Sequence, residues 1–443
     1  MARFRPAHAK RSRRAVGVLA ACVVAALLGS WIAVAVAQSL PDAVASGPTT
    51  SPTSSGTQAT PQPGTSSTTP SPTPTATVEP TVTFNLVAVG DVLPHQPVLN
   101  SARKGNSYDF APLFAPTKPY IQGADISICH MEVPVAPPGT KPSSYPVFGA
   151  PAKLVKDLAT AGWDGCSTAS NHSVDRGYPG IKATLNAFQA ADLGHAGTAR
   201  TKNESTQVQF YNVVEGGRTV KVAHISYAYG LNGLPVPAGK PWSVNVFNAS
   251  AANVTPILNA AKHVRKEGAD IVIASVHCCV EYTTQPTYVQ KEIAQKIASS
   301  GLVDLYIGHH AHVPEPIVRL KGGPGGKGMW VAYGLGNYVS NQDASTVGVP
   351  ETASGVMLRA TFTVSPADDV DVDVGWTAIT VDRTGGHVVY PITAHSGAKG
   401  NLSAAVIRAR WKLVANAVGK SAPEITAPGT PLADSVNHNT RTP

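Results

Sequence analysis

From Val82 onward, short apolar runs alternate with stretches of helical spacing, and nearly every run ends in a polar residue able to bind a metal. Val82–Val89, Asp125–Cys129, Trp163–Thr168, Val220–Tyr227, Asp270–Val276, Val303–Ile307 and Met329–Tyr333 read as buried strands. Pro151–Ala161, Gly180–Ala191, Ala251–Glu267, Tyr288–Ser299 and Leu402–Val418 read as helices. Continuous apolar strands separated by helices predict an α/β domain whose strands are covered on both faces. The later runs, Gly355–Val364, Val370–Val381 and His387–Ile392, alternate in polarity and suggest a second, antiparallel layer.

The rest of the chain frames this domain, expected over residues 81–419. The formal charge is +8, but Arg3, Arg5, Lys10, Arg11, Arg13 and Arg14 supply six positive charges and no acid precedes Asp42, leaving +2 for the remainder. A nucleic-acid partner needs a basic patch in the folded part, so that class is set aside. The basic residues 1–14 precede an uncharged apolar run, Ala15–Ala37, long enough to span a bilayer. A signal-anchor is the expectation, with the basic flank cytoplasmic and the domain extracytoplasmic. Ala35-Val36-Ala37 also has the form of a cleavage site, which would give a secreted protein instead. Residues 38–80 are Pro/Ser/Thr-rich and too poor in apolar side chains to offset their ordering entropy. They read as a disordered linker, and residues 420–443 as a flexible tail. Of five cysteines, Cys22 lies in the apolar run; Cys129, Cys166, Cys278 and Cys279 form no CxxC, and both a disulfide and buried thiols are open readings.

Ligands of α/β sheets bind at the carboxyl ends of strands. The residues just past each run are therefore informative: Asp91 and then His95, His130-Met131-Glu132, Ser170-Asn171-His172, His277, then His309, His310 and His312, and finally Asn337. One such residue alone reads as an N-cap or a core histidine; the whole series does not. Carboxylate, amide and imidazole together suit Mn, Zn or Fe. Two divalent ions about 3.5–4 Å apart can clamp both oxygens of an in-line displacement. Asp91, Glu132, Asn171, His277, His310 and His312 are the expected ligands, Asp91 doubling as a catalytic bridge, and His172 is free to act as a general acid.

Gly90-Asp91, Ser170–His172 followed by Asp-Arg-Gly, Val276–Tyr282 (VHCCVEY), Gly308–Pro316 (GHHAHVPEP) and Tyr333–Tyr338 (YGLGNY) resemble the CapA family of capsule or poly-γ-glutamate synthesis proteins, which are similar to calcineurin-type metallophosphatases. The resemblance covers about Thr83–Asn341 and implies a four-layer α/β/β/α sandwich. It also implies a role in envelope polymer assembly, with an anionic polymer or phosphoester as substrate and polymer synthase subunits as partners. Three positions depart from the metallophosphatase pattern. Leu93 stands where a histidine is expected, and His95 is the candidate replacement ligand. His130 stands for an asparagine, and Cys278-Cys279 for Trp-Gly; His309 falls where glycine is usual. Glu281, Tyr282 and Asn337 are motif positions whose roles the sequence does not supply, Glu281 being able to orient a histidine.

Two functional classes fit these residues. One is a metal-dependent hydrolase of a phosphoester, or of an amide in a γ-linked polymer. The other is a non-catalytic component that binds or guides an anionic polymer. A structural adhesin reading accounts for the linker but not for the histidines.

Overall fold

The apolar run that opens the folded region forms strand β1 (Val82–Val92) of a mixed α/β, sheet-rich domain; the computed structural model describes residues 79–442. The expected basic flank, apolar span and most of the Pro/Ser/Thr-rich segment lie outside the described residues. Among the described residues, no helix is long and apolar enough to cross a membrane.

After β1 come helix α1 (Gln96–Ser101), a hairpin of β2 (Arg103–Lys104) and β3 (Ser107–Tyr108), and helices α2 (Ala111–Phe114) and α3 (Lys118–Gln122). The next elements are β4 (Ile126–Met131), α4 (Lys153–Ala161), β5 (Gly165–Ser167), α5 (Gly177–Ala190) and β6 (Gly194–Ala196). A hairpin of β7 (Val208–Glu215) and β8 (Arg218–Ala228) leads to α6 (Thr255–Lys266), β9 (Ile271–His277), α7 (Tyr288–Ser299) and β10 (Leu305–His309). Beyond them lie β11 (Ile317–Leu320), β12 (Met329–Ala332), β13 (Asn337–Val339) and α8 (Ala344–Val347). The chain closes with β14 (Ser354–Val364), β15 (Val370–Asp382), β16 (Val388–Ile392), α9 (Ala404–Val418) and β17 (Ser435–Thr442).

The strands form two large sheets, in the orders β16-β15-β14-β1-β4-β5-β6, with β13 beside the end of β1, and β11-β12-β10-β9-β8-β7-β17. Side chains alternate across a strand, and β1 shows the consequence. Phe84, Leu86 and Ala88 join a core shared with Val220, Val222, Ile271, Ile273, Leu305 and Ile307 of the second sheet. Val87 and Val89 face the other way, into a core with Phe114, Leu154, Leu158 and Phe188 of the helices. On the second sheet's outer side, Val272, Ala274 and Val276 pack on Ile257 and Val264 of α6 and Ile293 and Ile297 of α7. The layers are helices, sheet, sheet, helices.

Two sequence expectations need correction. The late alternating strands do not build a second layer. β14 pairs antiparallel with β1 from Val82↔Val364 to Val89↔Met357, and so extends the first sheet. The open edge of an otherwise parallel β1 is thereby paired; the second sheet is instead founded on the β7–β8 hairpin, whose first strand the sequence pattern does not mark. Nor is the expected tail loose over its described residues, 420–442. Trp376 Nε1 donates to Ala422 O, the N–H groups of Leu432 and Ala433 donate to Asp125 Oδ1, and β17 pairs with β7 from Ser435↔Val214. Prolines spaced along a segment break helices without preventing it from docking on an exposed sheet edge.

Candidate metal centre

Both sheets end their parallel strands at one place. Asp91 closes β1 opposite His130 of β4, and His277 closes β9 opposite His309 of β10. Two glycines let the strand ends meet. A Cβ at Gly90 would come within 1.8 Å of Gly336 O, and one at Gly308 within 1.8 Å of Tyr333 O. The YGLGN segment threads this gap, with Asp91 N–H donating to Gly336 O at 2.9 Å and Leu335 N–H to Gly308 O at 3.2 Å. The glycines of the GD, GH and YGLGN motifs are thus needed for close backbone approach. His310 (φ 87°) and His312 (φ 57°) sit in left-handed conformations that side chains rarely adopt. Held strain of this kind concentrates at functional sites.

Asp91 and Glu132 are fully buried, and none of their four carboxylate oxygens receives a hydrogen bond of ordinary geometry. His312 Nδ1 lies 3.0 Å from Asp91 Oδ2, and its Nε2 lies 3.7 Å from Glu132 Oε1. His309 Nδ1 and His130 Nε2 lie 3.7 and 3.9 Å from Asp91 Oδ1. Ligand atoms within 4.8 Å of one another unite Asp91, His130 and His277; Glu132, His277 and His310; Asp91, Glu132 and His312; and Glu281, His310 and His312. The groups overlap, so neighbouring positions share Asp91, Glu132, His277, His310 and His312.

A chain of short contacts orders the histidines. Ser167 Oγ lies 2.7 Å from His130 Nδ1, His130 Nε2 lies 2.9 Å from His277 Nδ1, and His277 Nε2 lies 2.9 Å from Asn171 Oδ1. One proton orientation satisfies all three, each N–H or O–H donating toward Asn171. The His130 ring stacks on His309 at 4.0 Å, and neither His309 nitrogen has a hydrogen-bond partner. Asn337 holds His312: its Oδ1 is 3.1 Å from His312 Nδ1, and its Nδ2 donates to His312 O, Gln342 Oε1 and Thr352 O.

The charges are in conflict without a cation. Burial, with Asp91 adding to it, pushes Glu132 well above the usual carboxylate range, against the pull of His312. Burial, reinforced by neighbouring imidazoles, holds His130, His277 and His310 well below the ordinary histidine value. Burial opposes protonation of His312 too, yet Glu132 and Asp91 raise it to about 10. Buried carboxylates without donors are expensive. Divalent cations ligated by these carboxylates and neutral imidazoles would remove that penalty, so the donor set fits them.

His95 is not brought to this cluster, which corrects its assignment as a ligand. Its N–H donates to Leu93 O at 2.9 Å, a turn that pins the ring to its own backbone, with Nδ1 3.1 Å from the same carbonyl. The ring lies edge-on to Phe148, 5.4 Å away, in a cleft of ≈ 770 Å³ above the cluster. Burial, then nearby His312, keeps it near pKa 4. The same cleft is lined by Asn171, His172, Glu281, Tyr282 and His312. His172 Nδ1 lies 2.7 Å from Asp175 Oδ2, which also accepts the Phe148 N–H at 2.8 Å. Asn171 Nδ2 donates to Asn232 Oδ1, and Tyr282 OH accepts from Gln342 Nε2 at 3.1 Å. Asp175 was missed although its i+3 spacing from His172 marks it as a partner. Asn232 carries no such signal, being fixed in a distant turn.

Cys129 and Cys166 are disulfide-bonded across neighbouring β4 and β5, and Cys278 is bonded to Cys279. No cysteine joins a metal-capable group among the described residues.

Behind the cluster, Glu315 is buried, and Gln290 Nε2 donates to both its oxygens. Gln290 also closes the capping box of α7 with Thr287. Burial pushes Glu315 from 4.5 to about 8, against the Gln290 hydrogen bond. The folded state therefore holds this proton where the unfolded chain has lost it. Its contribution is full below pH 4.5 and is lost as pH rises toward 8, by at most about 1.4 kcal/mol per pH unit. Glu315→Gln keeps an acceptor for Gln290 and cannot ionise. The variant is expected to gain roughly 1–3 kcal/mol over wild type between pH 5 and 8 in metal-free denaturant melts; parallel pH profiles would refute this.

The profile of the family "Bacterial capsule synthesis protein PGA_cap" matches residues 85–342. Over 265 residues the chain is 26% identical to the capsule biosynthesis protein CapA of Bacillus anthracis, covering 58% of this chain and 60% of that one. Over 190 residues it is 29% identical to the PGA biosynthesis protein CapA of Bacillus subtilis, covering 43% and 45%. The chain thus spans about half the length of these relatives. A solved calcineurin-like phosphoesterase, YfkN of Bacillus subtilis, aligns with a TM-score of 0.40 and 13% identity, over 70% of this chain and 93% of that one. With more than half its length matched by one family profile, the chain belongs to the bacterial capsule synthesis protein family.

Proposed function

We propose that this protein is a divalent-metal-dependent phosphoester hydrolase serving capsule- or poly-γ-glutamate-type polymer assembly, held outside the cytoplasmic membrane by its N-terminal apolar run. One observation carries the chemistry: two buried carboxylates gathered with His130, His277, His309, His310 and His312, next to an open cleft that His312 and Asn171 line. The names of the relatives support the biological setting. Asp91, Glu132, His130, His277, His310 and His312, with Asn171 beside them, would hold the cations. Bound there, divalent metal supplies positive charge where phosphoryl transfer gathers negative charge, and acidifies water.

The chain's own residues do the remainder. Asn337 holds His312 in place, and the strained 310–312 turn aims His310 and His312, before any cation binds. Asp175 fixes the His172 ring on the cleft wall, where a protonated His172 can deliver a proton to a departing alkoxide. Asn171 and Asn232 present amides to the same space. The non-catalytic, polyanion-binding reading has less support, because no Lys or Arg lines the cleft.

Purified chain dialysed against Mn or Zn is expected to retain about two ions per chain by elemental analysis, as shared ligands between adjacent positions allow. It is also expected to hydrolyse simple phosphodiesters. Retention of less than one ion, with no turnover in any of Mn, Zn or Fe, would overturn the proposal.

A further inference from the structure

The cleft changes character from floor to mouth. Scattered exposed apolar side chains need no explanation, but a concentration of them does. Among the described residues, seven large apolar side chains are prominently exposed, and three line this one opening: Tyr145 (73%), Val147 (48%) and Leu234 (45%). A fourth, Val280, directly precedes Glu281 of the cleft wall. Phe148 packs edge-on against His172, 4.8 Å away, and so joins the apolar mouth to the reactive wall.

Charge points the same way. The cleft lining has no Lys or Arg, while Asp175 and Glu281 belong to it. A polyanion laid through the opening would meet carboxylates and apolar side chains, with favourable charge only at the cation-binding floor. A ligand with a single anionic group on the floor and an uncharged, apolar remainder at the mouth meets no such conflict. Resting on the phosphoester reading above, we infer that the substrate is an amphiphile, one phosphoester group joined to a hydrocarbon chain that covers Tyr145, Val147 and Leu234. The floor takes the phosphoester and the mouth takes the chain. Substrates of this class are the lipid-linked phosphoesters, and the reaction sequence is one in which a carrier lipid is loaded or released.

Binding separates this inference from hydrolysis. Methyl-, butyl- and octylphosphonate are titrated calorimetrically into the full chain, with and without Mn, below any micellar concentration. Full burial of a methylene is worth about fourfold in affinity; partial burial at a rim makes about twofold per methylene the expectation. Octylphosphonate is then expected to bind at least about 30-fold more tightly than methylphosphonate. Val147→Ser and Leu234→Ser are each expected to lower that octyl-to-methyl ratio several-fold, and Tyr288→Ser, exposed elsewhere, to leave it unchanged. Equal affinity along the series overturns the inference, as does tighter binding of short poly-γ-glutamate than of octylphosphonate. Sedimentation showing a dimer that the two rim variants dissolve also overturns it, assigning the rim to a second copy. Chain-length-dependent binding without turnover of any phosphodiester upholds the amphiphile site and removes the hydrolase reading; turnover with no chain-length dependence does the reverse.

Discussion

Asp91→Asn is expected to lower kcat/KM on a phosphodiester by at least about 10³, a loss of roughly 4 kcal/mol in transition-state stabilisation. The substitution keeps the side chain's shape and removes its charge. Asp91 is fully buried, has His312 Nδ1 3.0 Å from its Oδ2, and belongs to two of the four groups able to hold a cation. Glu132 is the other carboxylate shared between these groups, but it does not join the group of Asp91, His130 and His277. A second measurement tests the cause. Ligand at 100 times its Kd stabilises a fold by about 2.7 kcal/mol. Wild type is expected to show a metal-induced rise in Tm, and Asp91→Asn to lose much of it. The metal-free variant also loses the partner of His312, whose Nδ1 lies 3.0 Å from Asp91 Oδ2, so its stability is measured separately from its metal response. A variant with full metal content and undiminished turnover would refute the assignment. One that is merely destabilised when metal-free would make Asp91 a structural residue.

The sequence revealed much of this cluster because strand ends are predictable. A buried parallel strand is a continuous apolar run, and its carboxyl end falls where the run stops. Asp91, Glu132, His277, His310 and His312 are legible for that reason. His95 was misplaced because residue counting along a turn does not say where the turn points; the N–H of His95 folds back on Leu93 O and takes the ring to the cleft wall. Leu93 is buried with the helix-side core, so the position that would have carried the ligand is used for packing. His130 departs from the metallophosphatase pattern, yet it contacts His277 and faces Asp91. Sheet membership was less legible than strand position. Alternating polarity shows that β14 and β15 have two unlike faces, but not which edge they pair with. The last strand was hidden because its sequence is mostly polar; it pairs with the backbone edge of β7, with Val436 its apolar contact to the core. Asn232 and Glu315 were hidden because their partners, Asn171 and Gln290, are far away in the chain.

The second large effect concerns His172. It follows Asn171 but belongs to none of the groups that could hold a cation, and lies 7% exposed on the cleft wall with Nδ1 2.7 Å from Asp175 Oδ2. A ring so tethered through Nδ1 presents Nε2 away from its carboxylate, and it is the imidazolium form that could donate a proton from there. His172→Ala is expected to reduce kcat by about 10²–10⁴ on an alkyl phosphodiester, the usual range for a positioned general acid, with metal content unchanged. The leaving group supplies the decisive contrast. A departing p-nitrophenolate needs little protonation, whereas a departing alkoxide needs it strongly. The deficit is therefore expected to shrink to about tenfold or less on a p-nitrophenyl ester, as general acid catalysis predicts. Asp175→Asn keeps the ring but alters its tether, and is expected to follow the same leaving-group pattern with a smaller loss, about 10–10²-fold. Asp175 also accepts the Phe148 N–H, so a purely structural role predicts equal losses on both esters. Equal losses would remove His172 from proton transfer and leave it a wall residue; a loss confined to the alkyl ester has no structural explanation.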